Sequence, residues 1–79
     1  MAEPDLTFEG PAAGRETIRR FLIEATKTAA KPVRHFAVGL DNTGERVTVG
    51  VEYDDGTRKS LQLLYADIAH GEVIPAGVL

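Results

Sequence analysis

The chain has 79 residues, no cysteine and a formal net charge of −3 at pH 7. That length holds one domain, and surface scaling lets it bury only about 60% of what its unfolded chain exposes. With no disulfide or thiolate ligand to reinforce so small a core, added stability is expected from self-association or a partner. No apolar run approaches the ~20 residues that span a bilayer. Met1-Ala2-Glu3-Pro4 has neither the basic start nor the apolar run of a signal peptide, so a cytoplasmic protein without membrane contact is expected.

Charge is unevenly distributed. Residues 1–14 carry −3 through Glu3, Asp5 and Glu9. Residues 15–35 carry +4, with Arg15, Arg19, Arg20, Lys27, Lys31 and Arg34 set against Glu16 and Glu24. Residues 41–55 return to −4. A basic helix and an acidic hairpin region follow, without the global positive excess usual in nucleic-acid binders.

The first ten residues are expected to be loose, with Leu6-Thr7-Phe8 able to add a short edge strand. Gly10-Pro11 breaks the chain. A helix then begins between Pro11 and Arg15, since proline suits a first helical position, and stops near Ala30 or Lys31 ahead of Pro32. Ile18, Phe21, Leu22, Ala25 and Ala29 form one apolar stripe, with Arg20, Glu24, Lys27 and Lys31 opposite. Ile23 lies about 140° from Ile18 at about 100° per residue and is expected to be partly exposed or covered from outside the helix.

Residues 33–65 alternate as a three-stranded antiparallel meander: Phe36, Val38, Leu40; Val47, Val49, Val51, Tyr53; Leu61, Leu63, Tyr65. A loop of Asp41-Asn42-Thr43-Gly44 pairs Val38 with Val47 and Phe36 with Val49. A loop of Asp54-Asp55-Gly56, with Gly56 left-handed, pairs Val49 with Leu61 and Val47 with Leu63. The inner face is then Phe36, Val38, Leu40, Val47, Val49, Val51, Leu61 and Leu63, covered by the helix stripe. The outer face carries the rows His35–Gly50–Ser60, Ala37–Thr48–Gln62 and Gly39–Arg46–Leu64. Its small residues make it flat, and glycine within a strand often marks close approach by another backbone or a ligand.

After the sheet, Ala66–His70 suits one helical turn stopped by Gly71. The apolar tail 72–79 is expected to dock, either over the chain's own outer sheet face or edge, or on another chain. The expected fold is α+β: one amphipathic helix on a three- to four-stranded antiparallel meander, with a short C-terminal helical turn and an apolar tail.

Several chemistries fit poorly. Asp41, Glu45, Asp54 and Asp55 are turn formers in hairpins at opposite ends of the meander, so no metal site converges. His35 and Ser60 fall two strands apart, roughly 9.6 Å, too far for a nucleophile–base bond, and no third group orients the imidazole. His70 suits a helix C-terminus. Neither Gly44 nor Gly56 opens a helix, so no phosphate loop is present. No catalytic residue and no cofactor is expected.

The order helix, three antiparallel strands, short helix resembles that of the double-stranded RNA-binding domain. That family opens its last helix with a glycine and paired lysines that grip phosphates. Here the corresponding stretch is Leu63-Leu64-Tyr65-Ala66, without lysine, so the function is not carried over.

Two readings of function result. The first is a non-catalytic protein-interaction module (adaptor, inhibitor or regulator) that binds another protein or itself as a homodimer. Its contacts run through His35, Ala37, Thr48, Gln62 and Leu64, and through Val73, Ile74, Val78 and Leu79. The alternative is a nucleic-acid binder using Arg15, Arg19, Arg20, Lys27, Lys31 and Arg34 along a phosphate backbone. The helix charges also sit at i,i+3 and i,i+4 spacings (Glu16–Arg20, Arg20–Glu24, Glu24–Lys27), the usual pattern of a solvated face, and no aromatic among them offers a stacking platform.

Overall fold

Asp5, Thr7 and Glu9 alternate with Leu6 and Phe8, and these five residues form strand β1 (Asp5–Glu9), whose apolar pair packs on the core. In the computed structural model, which describes residues 4–73 and 77–79, β1 lies parallel to the strand after the helix. A parallel neighbour needs a crossover, and the helix supplies it. Gly10 makes the corner at φ +134°, where a Cβ would lie 2.5 Å from the Leu40 carbonyl oxygen, so only glycine passes there.

A single 3-10 turn over Ala12–Gly14 leads into helix α1 (Arg15–Thr26). The stripe is as expected: Ile18, Phe21, Leu22 and Ala25 are buried. Ile23 is half-buried beside a hollow lined by Pro4, Thr26 and Val33. The helix ends several residues before Ala30. The N–H groups of Lys27, Thr28 and Ala29 turn to carbonyls three residues back at 3.2–3.3 Å, and the Thr26 hydroxyl donates to the Ile23 carbonyl at 2.6 Å. β-branched Thr26 and Thr28 propagate a helix poorly, and their hydroxyls compete for its carbonyls.

Strands β2 (Val33–Leu40), β3 (Arg46–Tyr53) and β4 (Arg58–Leu64) follow as the antiparallel meander, and the sheet order is β1-β2-β3-β4. The leading parallel strand departs from the helix-first order of the RNA-binding domain. Between β3 and β4 the expected register holds, with Val49 opposite Leu61 and Val47 opposite Leu63, and Gly56 at φ +88° closes the three-residue loop. Between β2 and β3 it is displaced by two residues: Phe36 pairs with Val51, Val38 with Val49 and Leu40 with Val47. Asp41 decides this. Its N–H donates to the Arg46 carbonyl at 3.1 Å, and its carboxylate accepts the N–H groups of Glu45 (2.8 Å) and Arg46 (3.2 Å). The loop therefore runs 42–45, and parity, which a two-residue shift preserves, leaves every side chain on its expected face.

The core is Ile18, Phe21 and Leu22 against Phe36, Val38, Leu40, Val47, Val49, Val51 and Tyr53, closed by Ile68 of helix α2 (Tyr65–Ala69). α2 starts at Tyr65 and ends through His70 at Gly71, φ +73°. Of the tail expected over the outer sheet face or edge or on another chain, the described residues Val73, Val78 and Leu79 lie on the helix side of the sheet. Val73, Val78 and Leu79 pack against the core, and Lys59, on the same side of β4 as Leu61 and Leu63, donates to the Val78 carbonyl at 3.1 Å. Ile74 lies outside the described residues.

Leu22→Ala removes a fully buried side chain and is expected to cost about 2–5 kcal/mol in urea denaturation. Gly56→Ala meets open space and bears only left-handed strain, about 1–2 kcal/mol. A larger loss for Gly56→Ala would contradict this packing.

Candidate interaction surface

The sheet face turned away from α1 is built from every second residue of four strands. β1 contributes Asp5, Thr7 and Glu9; β2 contributes His35, Ala37 and Gly39; β3 contributes Arg46, Thr48, Gly50 and Glu52; β4 contributes Arg58, Ser60, Gln62 and Leu64. Register sets them in rows: Asp5–His35–Glu52–Arg58, Thr7–Ala37–Gly50–Ser60, Glu9–Gly39–Thr48–Gln62, and Arg46–Leu64. The five sheet residues named from sequence (His35, Ala37, Thr48, Gln62, Leu64) share this face, although the β2 shift moves His35 and Ala37 to different rows. Val73, Val78 and Leu79 belong to the other side of the sheet and do not join them.

The face is polar at one end and small-residued in the middle. His35 Nε2 and Thr7 Oγ1 lie 2.9 Å apart, tying β1 to β2. Ser60 is one row away, beside Gly50, so the His35–Ser60 row is replaced by His35–Glu52–Arg58. A bulge between Val33 and His35 leaves Arg34 unpaired in the ladder, and its guanidinium reaches Glu52 at 3.2 Å and the Asp54 carbonyl at 2.9 Å. Arg58 approaches Glu52 from the other side at 3.5 Å. A shallow hollow of about 460 Å³ runs between His35, Ala37, Gly50, Glu52, Arg58 and Ser60. Leu64 is 51% exposed, the large hydrophobic side chain that stands out among the described residues.

The six cations named for phosphate contact are dispersed. Arg19 and Arg20 both bond Glu16, at 2.7 Å and 3.2 Å, and Lys27 bonds Glu24 at 3.0 Å. Lys31 reaches Asp55 at 3.1 Å, donates to the Thr57 hydroxyl and lies 5.4 Å from the Tyr53 ring centre. Arg34 sits on the sheet with Glu52, and Arg15 is exposed on the first turn of α1. Five of the six therefore already have a carboxylate within 4 Å, which lowers the field they offer a phosphate.

Three carboxyls are held below their ordinary values. The hydrogen bond from Arg19 dominates at Glu16, with the charges of Arg19 and Arg20 adding to it, and brings it to about 2. At Asp55 the Thr57 hydroxyl and N–H, then Lys31, bring it to about 2. At Asp41 desolvation pushes upward but is outweighed by the N–H groups of Glu45 and Arg46 and the Thr43 hydroxyl. All three are turn or helix-surface devices. No group of three or more His, Asp or Glu side chains placed to hold a metal ion is found among the described residues, nor any helix long and apolar enough to cross a membrane.

The β1 and Glu52–Arg58 parts of this face were not legible as site residues. Leu6 and Phe8 give the face of β1 but not its neighbour or direction, and the β2 shift brings Glu52 and Arg58 into line with His35. No protein-family model matches the chain, and no curated protein or solved structure matches it either.

A carboxyl lowered on folding contributes stability above its unfolded pKa and loses it as pH falls through its folded one. Glu16 therefore supports the fold above its ordinary 4.5 and releases that support as pH falls towards about 2. Glu16→Gln is expected to show a shallower fall in Tm across that window than the unaltered chain. Parallel curves would contradict the Arg19–Glu16–Arg20 pairing.

Proposed function

We propose that this chain is a small protein-interaction module, without catalysis of its own, whose working surface is the open face of its sheet. The observation that carries this reading is that α1, α2 and the tail residues Val73, Val78 and Leu79 all pack on one side. Ala37, Thr48, Gln62 and Leu64 remain exposed around the small residues Gly39, Gly50 and Ser60. A flat face with an exposed leucine suits sheet-on-sheet contact with another protein surface. Of the titratable groups of the hollow, His35, Glu52 and Arg58 are hydrogen-bonded or ion-paired within the sheet and Lys59 donates to the Val78 carbonyl, so none is aimed at an enclosed pocket. An adaptor, inhibitor or regulator works through such a face.

The test is capture from host lysate with and without nuclease, using the unaltered chain, Ala37→Arg/Thr48→Arg and Arg19→Glu/Arg20→Glu. Recovery of protein that survives nuclease, falls with the sheet pair and persists with the helix pair is expected. Recovery that collapses on nuclease and follows Arg19 and Arg20 would overturn this reading in favour of nucleic-acid binding.

A further inference from the structure

We infer that the open face is occupied by a second copy of this chain, docked about a two-fold axis that runs parallel to the strands between β2 and β3. The inference rests on the reading of that face as a contact surface and adds its occupant and geometry. Such an axis keeps each row at its own level and reverses its order. Every row then meets its own mirror sequence, so a row is self-complementary only if it is opposite in character at its two ends.

The row Asp5–His35–Glu52–Arg58 meets this condition. On reversal, Asp5 comes over Arg58 of the second copy and His35 over Glu52, and both pairs occur twice. Next, Ala37 comes over Gly50 and Thr7 over Ser60, small residues that let the sheets approach closely. In the third row Glu9 comes over Gln62, an amide that can donate to it, and Gly39 over Thr48. At the far end Asp41 comes over Arg46. Leu64, at the corner of β4, falls over the hollow between Glu9, Gly10, Gly39 and Asp41. The charged pairs thus lie at the rim and the small residues at the centre, the usual anatomy of a specific contact. Packing within about 30° of aligned is the normal geometry for two sheets.

The face is small. Four strands at about 4.8 Å spacing and some six residues at about 3.3 Å give roughly 400 Å² on each copy. The total of roughly 800 Å² is below the ~1,000 Å² that a stable specific interface clears, so the dimer is weak and forms and dissociates readily rather than permanently.

Asp5 and Arg58 stand three strand spacings apart in one chain, about 14 Å, and cannot pair within it. This permits a decisive mixing experiment. Sedimentation equilibrium over a dilution series compares the unaltered chain, Asp5→Arg, Arg58→Asp, and the two variants mixed in equal amounts. Each variant alone opposes like charges twice and is expected to dimerise about tenfold more weakly or worse. The mixture opposes unlike charges at both places and is expected to recover dimer of near-native strength. Asp5→Asn and Arg58→Gln, each weakening association less than its reversal, repeat the comparison should a reversal fail to fold.

A mixture no stronger than its components would overturn the two-fold arrangement. A chain that is monomeric at every concentration would overturn the second copy as occupant. The proposed interaction face fails separately, if nuclease-resistant capture does not depend on Ala37 and Thr48.

Discussion

A helix about 10 Å across cannot cover a four-stranded sheet about 19 Å wide. α1 lays Ile18, Phe21, Leu22 and Ala25 on the sheet, and the uncovered strip on the β4 side has to be filled by something else. Ile68, Tyr65, Val73, Val78 and Leu79 fill it, and Lys59 anchors the tail by its Val78 carbonyl. Among the described residues, Leu64 is the exposed large apolar side chain left over. The other face of the sheet is left to solvent, and it carries alanine, glycine, serine and threonine where a second layer would need large apolar side chains.

The same economy shows in the polar groups. Each hairpin end is fixed by a single aspartate, Asp41 at one and Asp55 at the other, accepting N–H groups of its own loop. Arg19 and Arg20 are matched to Glu16, and Lys27 to Glu24, about one turn away, while Lys31 of the α1–β2 link is matched to Asp55 of the β3–β4 turn. These pairs are exposed and individually weak. Their effect is to offset part of the positive charge of the helix surface, while Asp5, Glu9, Arg46 and Arg58 ring the open face with charge of both signs.

Much of this was legible in the alternation of Val47, Val49 and Val51 against Leu61 and Leu63, because a three-residue loop with a left-handed glycine admits one register. The β2–β3 register was not, since loops 41–44 and 42–45 both satisfy parity, and only the hydrogen bonds of Asp41 choose between them. Apolar periodicity located α1 but overran its end, where two threonine hydroxyls compete with the helix. The tail was read as a docking segment, but its side of the sheet depends on the relative widths of helix and sheet. The bulge at Arg34 has no local signature. Of the candidate surface, the sheet residues shared one face as parity required, whereas Asp5, Glu52 and Arg58 emerged only once the order and register of all four strands were known.

Methyl NMR over a concentration series tests most directly whether one face is closed by the chain itself and the other by a second copy. The account predicts concentration-dependent shifts at Thr7, Ala37, Thr48 and Leu64, with Ile18, Leu22, Val73 and Val78 unmoved. Shifts centred on α1 or the tail, with the Ala37 and Thr48 methyls unchanged, would contradict it.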